Sequence, residues 1–168
     1  MSEKTPGGLL LPDHDALELL KHAPWPPRGE EPSATPDGLR IDAGYLSPYF
    51  ITDPDRSTAE LDDAFVLAAE QTTRRPQELV PILENVARTR RAMLVIATAI
   101  EDEVLALLVL NKLRGILRVC AVAAKNIESI AHHLSCRVLR APLEGLAIHD
   151  LGAAKHISSG MQSTIIER

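Results

Sequence analysis

The sequence predicts an α/β domain that follows a proline-rich extension. Apolar runs of strand length alternate with helical patterns, which is the arrangement that indicates an α/β fold. The strand-like runs are residues 65–69, 92–97 and 116–122, with weaker candidates at 137–139 and 164–166. The helical patterns are residues 76–88, 101–113 and 126–134.

Two of the helix ends carry sequence signals. Pro76 suits the first turn of a helix, because the N–H that proline lacks has no intrahelical partner there. Gly115 comes just after the second helical pattern, where a left-handed residue often ends a helix.

The first 37 residues differ in character from the rest. Seven of the 12 prolines lie before residue 37, and proline both fixes its backbone and lacks a donor. Residues 13–22 are the exception, since Leu17, Leu19 and Leu20 can line part of a helical turn. That stretch is either a short docking motif or part of a disordered extension. We predict a disordered extension over residues 1–37 and a folded domain over residues 38–168.

Composition limits the partners and the compartment. The net charge of −5 and the aromatic content of 3% leave neither a basic stripe nor stacking residues, so nucleic acid is not an expected partner. No apolar run approaches the roughly 20 residues of a membrane span, and the N-terminus does not read as a signal peptide. We expect a cytoplasmic protein with Cys120 and Cys136 reduced and buried.

Two helical patterns carry more apolar surface than a small core needs. In the first, Leu79 and Ile82 begin one apolar stripe, and Val80 and Leu83 begin a second one rotated by a residue. The second pattern is apolar nearly all round over residues 104–113. A helix of that kind is either buried or part of an exposed apolar patch that binds a partner. Both readings are open from periodicity alone.

A family resemblance begins at residues 42–50, Asp-Ala-Gly-Tyr-Leu-Ser-Pro-Tyr-Phe. It continues without a gap to Leu-Asn-Lys-Leu-Arg-Gly at 110–115 and then to Val-Cys-Ala-Val at 119–122. These runs resemble the apical, polypeptide-binding domain of the group I 60-kDa chaperonins, over residues 38–166 in all. The resemblance implies a chaperonin apical-like fold of the swivelling β/β/α type, with a β-sandwich-like centre flanked by helices. The run at 44–50 looks like the strand that enters this domain.

The chain also departs from the family pattern. A loop that usually follows the position of Val122 is missing, and the segment from Arg140 to Ile148 is short. The contacts that the family makes through that loop and that segment are therefore not carried over.

The resemblance implies chaperone activity of the holdase type, in which unfolded or non-native polypeptide binds an apolar groove between two helices. The implied groove residues are Val80, Leu83, Glu84 and Ala87 on the first helix, Glu103, Leu105, Val109, Leu110 and Arg114 on the second, and Tyr45, Tyr49 and Phe50 beneath them. Implied partners are non-native polypeptides, and further ones are a co-chaperonin mobile loop or full-length chaperonin subunits. The alternative is a dedicated interaction module that binds one partner, or a degenerate chaperonin remnant. If the groove is open, Leu83 and Val109 face solvent, while Leu79 and Ile82 face the core.

Enzymatic chemistry finds no support in the sequence. The family's nucleotide-binding Gly-Asp-Gly-Thr-Thr motif is absent, no P-loop replaces it, and we expect neither ATP hydrolysis nor a cofactor. His132 and His133 are adjacent, so they point to different faces of a helix, and we expect a solvated helix end rather than a metal site. The acidic residues at 101–103 suit the first turn of a helix.

Overall fold

The computed structural model describes residues 4–21, 33–35, 38–71, 75–140, 143 and 145–168. Within them lie four α-helices, eight β-strands and three short 3₁₀ helices. The α-helices are α1 His14–Lys21, α2 Val80–Thr89, α3 Asp102–Leu113 and α4 Ile127–His133. The strands are β1 Ser33–Thr35, β2 Gly38–Ile41, β3 Ala59–Ala69, β4 Ala92–Ala97, β5 Val119–Ala123, β6 Val138–Leu139, β7 Gly152–Ser159 and β8 Thr164–Glu167. The 3₁₀ helices are Pro48–Phe50, Pro76–Glu78 and Ile148–Asp150.

The strands form one mixed sheet in the order β1-β2-β8-β7-β3-β4-β5, with β6 paired to β3. β3, β4 and β5 are parallel, with Leu67 opposite Val95 and Met93 opposite Val119. On its other side β3 pairs antiparallel with β7, so the sheet changes direction there. The α/β class predicted from the sequence is thus confirmed.

The parallel part of the sheet is the centre of the core. Every side chain of β4 and of β5 is buried, as expected for parallel strands covered on both faces. The connections between these strands carry α2 and α3, because parallel neighbours need a crossover long enough to hold a helix. This arrangement brings α2 and α3 to the same region of the domain.

Most predicted elements lie within a few residues of their expected places. The three long apolar runs are β3, β4 and β5, and the three helical patterns are α2, α3 and α4. β1, β2 and β7 were not foreseen. The expected entry strand at 44–50 is corrected: Tyr45 forms a single bridge to Val122, and Pro48–Phe50 is a 3₁₀ helix whose first turn is capped by the buried Ser47.

The N-terminal segment, defined here as residues 4–21, is ordered where the sequence predicted disorder. Thr5 to Gly8 form a turn, in which the Gly8 N–H donates to the Thr5 carbonyl at 2.9 Å and Gly8 has a φ of +92°. Pro6 occupies the second position of that turn, which favours proline. Asp13 caps α1 by accepting the Ala16 N–H at 3.0 Å. Residues 22–32, 36 and 37, including Trp25, lie outside the described residues, and the domain boundary at residue 38 stays a prediction.

His156 of β7 lies between two carboxylates of β3. Its Nδ1 is 2.6 Å from Asp62 Oδ1 and its Nε2 is 2.8 Å from Glu60 Oε2. The hydrogen bond to Asp62 raises the pKa of His156 above its ordinary value of 6.5; burial opposes the rise, and Glu60 adds to it. The folded chain therefore holds this proton more tightly than the unfolded chain does.

That difference predicts a pH dependence of stability. The stabilisation is fully present below about pH 6.5 and is lost as the pH rises through the folded-state pKa. We expect it to be below about 1 kcal/mol, because the cluster is partly exposed and screened by salt. Between pH 5.5 and 8.5, the melting temperature of the natural chain should fall more steeply with rising pH than that of His156→Asn. Addition of 1 M NaCl should reduce the difference between the two slopes. Equal slopes for the two proteins would contradict the assignment.

Candidate functional site

The candidate site is the groove between α2 and α3, together with the residues beneath it. Tyr45 and Phe50 are buried, and Tyr49 is half-buried. The 3₁₀ helix Pro48–Phe50 packs against α3, and Tyr45 bridges to Val122 of β5. The Tyr45 hydroxyl donates to the Ser57 carbonyl at 3.2 Å, which fixes the ring. The Lys112 ammonium of α3 donates to the Ile51 carbonyl at 3.0 Å and ties the helix to this floor. Burial lowers the pKa of Lys112.

The first wall is α2. Pro81 stands in its first turn, where proline is tolerated. Val80, Leu83 and Glu84 are buried, and Ala87 near the end of the helix is half-buried. The resemblance placed these four residues on the groove side of the helix, and the structure lays the N-terminal segment against that wall at Glu84.

The second wall is α3, whose residues 104–111 are all buried. This set includes Leu105, Val109 and Leu110 of the predicted site. Glu103 and Arg114, at the two ends of the helix, are exposed. The predicted groove residues thus divide into a buried apolar group and a charged exposed pair.

The N-terminal segment occupies the groove, and Asn111 of α3 binds its backbone. The Leu10 N–H donates to Asn111 Oδ1 at 2.8 Å, and Asn111 Nδ2 donates to the Leu10 carbonyl at 2.8 Å. Nδ2 also donates to the Leu107 carbonyl at 2.8 Å, and Asn111 is 0% exposed. This side chain therefore pairs with a peptide unit much as a neighbouring strand would.

The segment touches both walls. Gly7 lies so close to α2 that a Cβ there would overlap the Glu84 carboxylate. Leu9 is fully buried in the same apolar cluster as Leu83 and Leu105.

Past Leu10 the segment runs toward the start of α3. Pro12, Asp13, His14 and Leu17 line a cavity of about 290 Å³ together with Pro76, Gln77 and Glu103. Asn111 and Glu103 are eight residues apart on the helix, or about 12 Å along its axis. The segment therefore follows α3 over two turns.

The expected open groove is corrected by this arrangement. Leu83 is 0% exposed and Val109 is 1% exposed, as deeply buried as the intended core controls Leu79 and Ile82. The physical reason is that the apolar surface beyond the needs of the core is covered by apolar residues of the same chain. Of the two readings of this helix, the buried one holds over residues 104–111, while Leu113 is 46% exposed.

Sequence reasoning missed Asn111, Leu9 and Leu10. Asn111 carried a usable signal, because it is a polar residue inside the apolar run from 104 to 113. A buried amide needs hydrogen-bond partners, so such a residue indicates a backbone or side-chain group brought against the helix. Leu9 and Leu10 carried no signal, since they lie in the proline-rich extension.

Neither cysteine thiol has a lowered pKa. Burial raises the pKa of Cys120 to about 12, and that thiol is fully buried. Cys136, expected to be buried, is only partly so, and burial raises its pKa as well. Among the described residues, no cluster of three or more His, Cys, Asp and Glu side chains is placed to hold a metal ion.

In the described part of the chain, no helix has the length and apolar content that a membrane crossing requires. A scan of the sequence against known family models gave no match.

Proposed function

We propose that this chain is a polypeptide-binding domain of the chaperonin apical type, with a β-sandwich-like centre, and that it holds apolar segments of non-native proteins between α2 and α3. The sequence resemblance over residues 38–166 supports this proposal. The α/β architecture supports it further, because one polypeptide segment reaches both α2, at Glu84, and α3, at Asn111. The exposed pair Glu103 and Arg114 then meets charged groups that flank a bound segment.

The observation that carries the proposal is that the groove already holds a polypeptide. Leu9 fills apolar space, and Leu10 presents its backbone N–H and carbonyl to Asn111. Neither kind of contact depends on an exact sequence, since apolar burial contributes roughly 25 cal/mol per Å² whatever the side chain. Any non-proline residue offers the backbone N–H and carbonyl that the Asn111 amide binds. The ligand class is therefore an extended, apolar segment with an unpaired backbone.

A single groove of this kind binds weakly. Ordering a flexible segment offsets much of the gain from burial. Presentation of several grooves together would raise the affinity through avidity. We therefore propose holding, with micromolar or weaker affinity for one segment, rather than driven folding.

The test is suppression of aggregation by the full chain. We expect light scattering of two chemically unrelated, heat-unfolded proteins to fall as the chain is added in molar excess. Ala87→Lys should weaken the effect several-fold, because the long cationic side chain enters the groove at a half-buried position without entering the core. Ser129→Lys, at an exposed position of α4, is the matched control and should act like the natural chain.

The second candidate is a dedicated interaction module for one partner, such as a chaperonin subunit or a co-chaperonin loop. The close match between the groove and one particular segment of the chain favours it. Such a module would leave the scattering of both unrelated clients unchanged at every ratio. That result would reject the holdase proposal and keep the groove as a specific binding site.

A further inference from the structure

The N-terminal segment lies where a client of the proposed groove would lie. It reaches α2 at Glu84 through Gly7, and it reaches α3 at Asn111 through Leu10. Its apolar residues Leu9, Ala16 and Leu20 are buried in the domain's core cluster. A second apolar polypeptide cannot use the same Asn111 amide while Leu10 holds it.

The segment is also built to leave as a unit. Several of its hydrogen bonds are internal: Thr5 N–H donates to the Leu9 carbonyl at 2.7 Å, and Leu9 N–H donates to Thr5 Oγ1 at 3.0 Å. The Asp13 cap of α1 is internal as well. These bonds move with the segment, so its release need not expose their polar groups unpaired.

The connection to the sheet is long enough for release. Residues 22–32 join α1 to β1, which pairs with β2, and these 11 residues can span at most about 38 Å. The segment can therefore leave the groove while β2 keeps its pairing with β8. A tether of this length also holds the segment near the groove at about millimolar effective concentration.

We propose that residues 4–21 are a built-in competitive ligand of the α2–α3 groove, which a client must displace; this inference rests on the proposed function. A client then binds only the fraction of molecules whose groove is empty, and its apparent affinity falls by that fraction. Occupancy of about ten to one for the docked segment lowers client affinity about tenfold. The N-terminal segment thus fills the groove in most molecules, and only polypeptides that bind more strongly than this segment displace it.

The test uses the full chain and one probe, a fluorescein-labelled synthetic peptide with the sequence of residues 4–21. We expect weak anisotropy changes with the natural chain and at least tenfold tighter binding to Leu9→Asp, which places a carboxylate in the apolar site and releases the segment. Leu9→Ala should bind the labelled peptide with an affinity between those of the natural chain and Leu9→Asp. It replaces Leu9→Asp in the test if the charged variant does not fold. Ser129→Asp, at an exposed position of α4 outside the segment and the groove, is the matched control and should bind like the natural chain.

Amide hydrogen exchange of residues 4–21 distinguishes a failure of this inference from a failure of the proposed polypeptide-binding function. The inference expects protection in the natural chain and its loss in Leu9→Asp. Free exchange in the natural chain, with equal probe affinity for all variants, overturns the inference and leaves the proposed function standing. Protection that is lost in Leu9→Asp without any probe binding overturns the proposed function, and with it the competition.

Discussion

Replacing Leu83 with aspartate should unfold the protein. Leu83 is 0% exposed, and a carboxylate there is buried without a partner. The loss of leucine packing alone costs about 2–5 kcal/mol, and burial of the polar group adds about 1–3 kcal/mol more. That sum approaches the whole stability of an ordinary domain, about 5–15 kcal/mol. Leu79→Asp should do the same, since both stripes of α2 face apolar surroundings.

Urea and thermal melts of the two variants measure this effect. Leu113→Asp is the control, because Leu113 in the last turn of α3 is 46% exposed. It should cost no more than about 1 kcal/mol, most of it from a negative charge near a helix C-terminus. A melt of Leu83→Asp that resembles the natural one would place Leu83 in solvent. The open groove expected from the resemblance would then be the resting state.

The fold class was predictable because its signals are local. β4 is an uninterrupted apolar run, and α2 shows apolar residues at helical spacing, so each element is visible in a short window. β7 was missed because its alternation of buried and exposed positions shifts once, between Lys155 and His156, and because three of its residues are glycine or alanine. Its pairing with β3 is also disturbed near Asp63, a residue at a φ of +51° between the pairs Asp62–His156 and Ala64–Ala154.

The N-terminal segment was not predictable from its average composition. Proline content over residues 1–37 indicates disorder, but the individual prolines do not act alike. Pro6 lies within a turn and Pro12 precedes the cap of α1, so neither removes a helical hydrogen bond. What orders the segment is the apolar surface of α3, about 100 residues away in the sequence. Such a long-range contact leaves no trace in a local pattern.

The two apolar helices could be located from sequence, but what covers them could not. Two apolar stripes on α2 indicate two covered or binding faces, and periodicity cannot tell whether the second is covered by a client or by the chain itself. Val109 and Leu110 were assigned to the groove by resemblance and lie on α3 as expected. Both are buried by other parts of the same chain, a state that periodicity does not distinguish from an exposed apolar face.

Asn111→Ala should free the N-terminal segment without unfolding the sheet. The substitution removes both hydrogen bonds to Leu10, each contributing about 0.5–1.5 kcal/mol, and leaves the peptide groups of Leu10 short of partners in a partly buried site. Together these losses weaken docking by about 2–3 kcal/mol, or at least 30-fold in the docking equilibrium. The sheet should survive, because alanine is the best helix former and the α3 backbone is unchanged.

Amide exchange at Leu10 reads this directly: with the docked segment favoured about ten to one, docking that is about 30-fold weaker leaves Leu10 almost without protection, while β4 and β5 stay protected. Asn85→Ala is the matched control: it is the same substitution on α2, at a half-buried amide that accepts a 3.4 Å hydrogen bond from Arg88. It should leave Leu10 protected. Unchanged protection in Asn111→Ala would mean that apolar burial of Leu9 and Leu20 holds the segment alone. The backbone pairing would then contribute nothing to recognition, and the proposed ligand class would lose its requirement for an unpaired backbone.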